Sequence, residues 1–222
     1  MPWLNPFRLD FPDPERSPSK DVIAIGGDLS PERLLAAYKR GIFPWYNEGE
    51  PIMWWSPDPR MVLLPDDLKI AKSMRPLFNQ QKFRVTYNTV FQQVMTQCSQ
   101  NERKGQSGET WINPDMIAAY TALNRSGDAH SVDVWEGAEL VGGLYGIAIG
   151  KLFFGESMFT KVSNASKFGF ISLVHILKEK HFQLIDCQQE TVHLTSLGGK
   201  TVSRKTFMSY IKKNTDEQLI LP

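Results

Sequence analysis

Residues 41–60 read Gly-Ile-Phe-Pro-Trp-Tyr-Asn-Glu-Gly-Glu-Pro-Ile-Met-Trp-Trp-Ser-Pro-Asp-Pro-Arg, and no other stretch limits the fold so strongly. Pro44, Pro51, Pro57 and Pro59 exclude a helix, because each lacks a backbone donor and its ring clashes with the preceding turn. Trp45, Trp54 and Trp55 place three of the six tryptophans within eleven positions. A loop held rigid by its prolines and by aromatic packing is expected. Long ordered loops rich in large aromatics usually serve function rather than mere connection. Two readings stay open from these residues alone: a stacking surface for a flat ligand, or an apolar plug between two halves of the protein.

With 222 residues the chain can form one large domain, or a small domain joined to one of ordinary size. No apolar run approaches the roughly 18 residues that span a bilayer. Residues 1–20 carry five prolines and scattered charge, unlike the apolar core of a signal peptide. Cys98 and Cys187 have no close Cys or His partner, which argues against a disulfide scaffold or a structural zinc site. A cytoplasmic protein without a membrane partner is expected. Net charge is only +1, but between residues 68 and 104 seven bases (Lys69, Lys72, Arg75, Lys82, Arg84, Arg103 and Lys104) face the single acid Glu102. Such a segment suits phosphate contact, and equally a solvated basic face.

Turn and periodicity signals predict a strand over 22–25 and a helix opening at Ser30-Pro31 and stopping at Gly41, with Leu34, Leu35 and Tyr38 on one face. A strand at 61–64, a helix over 73–79, a strand over 83–87 and an Asn88-capped helix over 89–99 follow. A polar, mobile loop over 101–109 then leads to Trp111 and an Asn113-Pro114 helix start. Strands over 131–135, 139–149 and 152–159, a helix over 164–180, a strand over 182–187 and a helix over 203–212 complete the chain. This order indicates an α/β (α+β) layer fold. The expected division is a small amino-terminal domain, 1–64, and a catalytic domain, 65–222, with a mixed sheet flanked by helices.

Chemistry concentrates on the late strands. Asp186 and Gln188 are two apart, so on a strand both side chains share a face. A carboxylate beside an amide there can orient and deprotonate a nucleophile; an Asp in that place can equally cap the next turn. Glu156 interrupts the aromatic run Phe153-Phe154-Gly155-Glu156-Ser157-Met158-Phe159, so it needs a cationic partner, internal or from a substrate, or a shifted pKa. The run lacks the second glycine of a serine-hydrolase elbow. The sheet-and-helix order resembles the GNAT-like acyltransferases, but 163–169 has no glycine-rich pyrophosphate turn, which argues for an acyl donor other than CoA.

Several motifs then occur in one order: Gly26-Gly27-Asp28-Leu29-Ser30-Pro31, Gly41-Ile42-Phe43-Pro44-Trp45, Trp54-Trp55-Ser56-Pro57-Asp58-Pro59-Arg60, Thr110-Trp111-Ile112, His130-Ser131-Val132, Leu140-Val141-Gly142-Gly143, Phe154-Gly155-Glu156-Ser157-Met158-Phe159, Asp186-Cys187-Gln188 and Ser196-Leu197-Gly198. Across nearly its whole length the chain resembles the bacterial leucyl/phenylalanyl-tRNA–protein transferases. The resemblance implies transfer of Leu, Phe and sometimes Met from aminoacyl-tRNA to proteins beginning with Arg or Lys, marking them for the N-degron pathway, with no metal and no cofactor. It implies that Gln188 binds the attacking amine, that Asp186 orients Gln188, and that Glu156 attracts the cationic acceptor end; a substrate-assisted path through the terminal ribose is equally compatible. Trp45 and Trp111 correspond to the positions that embrace the terminal adenosine, and Leu144, Phe153, Met158, Phe170 and Ile185 to the Leu/Phe pocket. Tyr38, Tyr120 and Ser157 join the substrate-binding set, and Lys72, Lys82 and Arg84 hold tRNA phosphates. The chain departs from the family at Leu144, often methionine, and at Thr191, near a common asparagine. Trp54 and Trp55 fall to the plug reading, and a monomer is expected. A cell-wall aminoacyl transferase and a non-catalytic module for tRNA ends are the alternatives.

Overall fold

The structure is a computed structural model that describes residues 1–100 and 110–215. The expected mobile loop, 101–109, with Arg103 and Lys104, lies outside the described residues. The amino-terminal part contains β1 (Val22–Ile25), α1 (Pro31–Tyr38), β2 (Phe43–Pro44) and β3 (Met53–Trp55), with the three strands in one antiparallel sheet ordered β1-β3-β2. The stretch expected to be all loop therefore supplies two strands. Pro44 is tolerated because β2 is an edge strand, where a missing N–H breaks no ladder bond.

The chain continues through β4 (Arg60–Leu63), α2 (Arg75–Asn79), β5 (Arg84–Tyr87), α3 (Phe91–Ser99) and α4 (Pro114–Ser126). Then come β6 (Ala129–Glu136), β7 (Glu139–Ile149), β8 (Leu152–Thr160), α5 (Ala165–Glu179), β9 (Leu184–Gln188), α6 (Val192–Ser196), β10 (Lys200–Val202) and α7 (Arg204–Asn214). Seven strands form one mixed sheet, β10-β4-β9-β8-β7-β6-β5. Its one parallel pair is β8 with β9, joined by the α5 crossover; its other neighbours are antiparallel. β4 lies before the expected boundary at residue 64, yet it is an inner strand of this sheet.

Side chains of β7 and β8 alternate between two apolar layers. Tyr145, Ile147, Ile149, Leu152 and Phe154 face one core, shared with Leu34, Tyr38, Trp54 and Phe207. Leu144, Ala148 and Phe153 face the other, beneath Phe168, Ile171 and Val174 of α5. The first core runs without a break from the small sheet into the large one. Trp54 is fully buried within it, edge-on to Phe11 at 4.9 Å, and its Nε1 donates to the Gly26 carbonyl at 2.7 Å.

Local signals explain some ends and not others. Asn113 caps α4 by accepting from the Met116 N–H at 2.9 Å, and Gly127 closes it at φ 85°. Ser30 occupies the cap position of α1 without making a cap bond; instead Asp28 accepts from the Ser30 N–H at 2.8 Å. α3 starts two residues later than expected, because Asp133 captures both the N–H and the hydroxyl of Thr89. Asn88 does not cap it; at φ 59° its Oδ1 accepts from the Ser131 N–H at 3.0 Å.

Candidate active site

Pairing between β8 and β9 ends at Phe154 opposite Asp186. Beyond that pair the strands part. Two register shifts fall at this place. On β8, Gly155 and Ser157 oppose Gly146 and Tyr145 of β7, which leaves Glu156 unopposed. On β9, Asp186 and Gln188 oppose Val62 and Met61 of β4, which leaves Cys187 unopposed. Bulges of this kind re-aim side chains and end pairing.

A cavity of about 380 Å³ opens in the gap. Its apolar part is walled by Leu144, Phe153, Met158, Phe170 and Ile185, drawn from β7, β8, α5 and β9. Phe43, Pro44, Trp45 and Trp111 form another wall, and Glu156, Ser157, Asp186 and Gln188 supply polar groups. Trp45 is braced by Trp55, whose ring lies 5.1 Å away and whose Nε1 donates to the Trp45 carbonyl at 2.6 Å. Trp55 thus supports Trp45 while also packing against the core that the two sheets share.

Glu156 is only 8% exposed. Tyr38 donates to its Oε1 at 2.8 Å, Tyr120 to its Oε2 at 3.4 Å, and Gln188 Nε2 to its Oε1 at 3.0 Å. The two tyrosine hydroxyls also meet at 2.5 Å. Burial pushes the Glu156 carboxyl up to about 7, against the opposing pull of the Tyr38 hydrogen bond. Burial, and then the Glu156 charge, raise both tyrosines well above their ordinary value, so they act here as donors. Neither tyrosine lines the cavity; both are buried and reach it through Glu156.

Asp186 has no exposed surface and forms an ion pair with Arg60, with Arg60 Nε to Oδ1 at 2.8 Å and Nη2 to Oδ2 at 2.6 Å. Its Oδ1 also accepts from the backbone N–H of Gln188 at 2.9 Å. Asp186 therefore touches Gln188 through the main chain, while the Gln188 amide faces Glu156. With Nε2 used on Glu156, Oε1 is the acceptor Gln188 has to offer. Burial, followed by the Asp186 charge, pushes the Cys187 thiol up, which makes it a poor nucleophile despite its place in the wall.

Lys72, Lys82 and Arg84 are exposed and none lines the cavity. Lys82 lies 3.8 Å from Glu136, and the Arg84 guanidinium sits 5.1 Å over Trp135. Thr191 lines the cavity and caps α6, its hydroxyl accepting from the Leu194 N–H at 3.2 Å. Arg60 stands out in the sequence only as the end of a motif, and His193, close behind Asp186 and readable as a turn residue, is a cavity residue whose Nε2 meets no partner among the described residues. The short α6 carried too little periodicity to announce itself, and an arginine at a strand start looks like any other.

The family model described as "Leucyl/phenylalanyl-tRNA protein transferase" matches residues 62–212, and that of its N-terminal domain matches 27–58. The chain belongs to the leucyl/phenylalanyl-tRNA–protein transferase family. It is accordingly an aminoacyltransferase. Proteins of that name are 55% identical in Flavobacterium johnsoniae, over 92% of this chain and 96% of the relative, and 53% identical in Christiangramia forsetii, over 95% and 100%. Another in Pseudomonas paraeruginosa is 48% identical over 98% of this chain and 96% of its own length. Among the described residues no helix is long and apolar enough to cross a membrane.

Proposed function

We propose that this transferase moves Leu or Phe, and also Met, from its tRNA to the α-amine of cytoplasmic proteins that begin with Arg or Lys, marking them for N-degron degradation. The observation that carries the reading is one cavity with an apolar end sized for a side chain, a tryptophan at its wall and a buried carboxyl beside an amide. An apolar pocket discriminates by volume at a small penalty per methylene, so Leu and Phe can share it. Trp45 and Trp111 hold the terminal adenosine, and Lys72, Lys82 and Arg84 hold acceptor-stem phosphates.

The neutral α-amine donates to Gln188 Oε1 and attacks the ester carbonyl of the charged tRNA. The C–N bond forms, the carbonyl electrons move to oxygen, and collapse of the tetrahedral species breaks the bond to the ribose oxygen. The amine gives up one proton and the ribose oxygen takes one, so none is gained or lost overall. Glu156 attracts the cationic acceptor end; Asp186 steadies β9 beneath Gln188. Because the ester is already activated, positioning is much of the catalysis. The reaction uses no cofactor, and the protein works as a monomer.

The test is transfer of labelled Phe from Phe-tRNA to peptides that differ only in their first residue. Labelling of peptides starting with Arg or Lys, with little for one starting with Asp, is the expected result. No labelling of the Arg peptide refutes the proposal.

A further inference from the structure

Asp186 has two partners, and the inner one is a residue no catalytic role has claimed. We propose that Arg60 is a positioning residue for the transfer: its grip on Asp186 holds the backbone of β9 in the shape that aims Gln188 at Glu156. The inference rests on the catalytic reading of Gln188 given above.

The chain of contacts is continuous. Arg60 meets both oxygens of Asp186 in a two-point fork, the geometry that makes an arginine–carboxylate pair directional. Oδ1 of the same carboxylate accepts from the Gln188 N–H, so the two donors fix it from two sides. Gln188 stands at φ 60°, a left-handed conformation seldom taken by a residue with a Cβ. Something must hold it there, and the Asp186 bond is the contact placed to do so. From that backbone the Gln188 side chain reaches Glu156 at 3.0 Å.

Arg60 itself is immobilised. It has no exposed surface, and its guanidinium lies between the rings of Phe43, 4.8 Å away, and Phe207, 4.5 Å away. Its Nη1 has no hydrogen-bond partner among the described residues. A buried ion pair adds little stability over apolar residues of equal size. Leaving a donor unsatisfied adds to that cost, so stability is a poor reason for an arginine here. Direction is a better one. A lysine keeps the charge but presents a single point, and it cannot reproduce the fork.

The proposal is tested on the full chain with Arg60→Lys, Arg60→Met and Gln188→Ala, singly and combined, in single-turnover transfer from Phe-tRNA to an Arg-initiated peptide. Arg60→Lys is expected to melt within a few degrees of the unaltered protein. Its rate at saturating substrate is expected to fall at least tenfold, with the KM for Phe-tRNA changed less than twofold. Placed in the Gln188→Ala protein, the same change is expected to lower the remaining rate less than twofold, because the group it positions is gone. Equal losses in both backgrounds, an unchanged rate in Arg60→Lys, or a raised KM with an unaltered rate each overturns the proposal. If Arg60→Met does not fold, Arg60→Lys carries the test; loss of the fold in both assigns Arg60 to stability and overturns it as well. Absence of transfer by the unaltered protein is a separate result, which removes the catalytic reading and this inference with it.

Discussion

Glu156→Gln separates the ionisation of the site from its shape, since the amide is nearly isosteric with the carboxyl and cannot titrate. In the folded protein the Glu156 carboxyl sits at about 7 rather than at its usual 4.5. The folded state therefore holds this proton more tightly than the unfolded chain does. Its contribution to stability is intact below about 4.5, declines as pH rises, and is lost above about 7. At 1.36 kcal/mol for each pH unit between the two values, the full change is about 3 kcal/mol. Urea unfolding of both proteins from pH 5 to 8.5 reads this directly, because every other titrating group is common to both and cancels in the difference. The stability of Glu156→Gln relative to the unaltered protein is expected to rise by about 2–3 kcal/mol over that span, since part of the change is complete by pH 5. A difference that stays flat refutes the argument that burial governs this carboxyl. The groups facing it are Tyr38 from α1, Tyr120 from α4, Gln188 and Asp186 from β9, and Arg60 from β4. Single-turnover transfer is expected to rise through a midpoint near 7 in the unaltered protein. Glu156→Gln is expected to lose that limb and keep only the one, at about 8, where the acceptor α-amine becomes neutral.

Three further outcomes follow from named contacts. Trp45→Ala removes a stacking wall worth about 1–3 kcal/mol per base, so the KM for aminoacyl-tRNA is expected to rise about tenfold or more with the rate at saturation little changed; an unchanged KM refutes the stacking role. Leu144→Phe fills part of the apolar end of the cavity, and competition between Leu-tRNA and Phe-tRNA is expected to shift towards the smaller donor. A shift towards Phe, or none, removes Leu144 from the pocket. Gly41→Ala places a Cβ at φ 68° and 2.7 Å from the Phe207 ring, and chemical unfolding is expected to show a loss of about 2 kcal/mol or more.

Strands and helices were legible wherever one periodicity ran long enough. β1 and β7 lie at 22–25 and 139–149, as their alternation and flanking glycines imply, and α5 begins and ends within a residue of its apolar stripe. The 41–60 stretch reads as all loop in sequence yet holds two strands, because proline excludes helix but not an edge strand. α6 and β10 went unseen, being five and three residues long with no repeated face. The cavity was half legible. Trp45, Trp111, Leu144, Phe153, Met158, Phe170 and Ile185 all line it. What sequence could not supply was depth: Tyr38 and Tyr120 are as aromatic as the wall residues, but only packing shows that they lie behind Glu156. Nor could it supply pairing. The partner of Asp186 lies 126 residues away on β4, and neither spacing nor composition joins Arg60 to it.

That distance matters for how the two parts of the chain divide the chemistry. The strands bearing Glu156 and Gln188 do not complete their surroundings. Tyr38 reaches Glu156 from α1, Trp45 walls the cavity beside β2, and Phe43 packs on the arginine that grips Asp186. A catalytic half cut at residue 64 loses all four at once. It keeps a buried Asp186 stripped of its cation, and leaving one partner of such a pair unopposed is costly, about 3–5 kcal/mol. It also exposes the face of the first core that Leu34 and Trp54 cover. The amino-terminal part is thus not a separable recognition module placed on a finished enzyme. It supplies one wall of the cavity and one donor to the titrating carboxyl, and the proline-rich aromatic stretch runs from that wall into β4, whose Arg60 clamps β9.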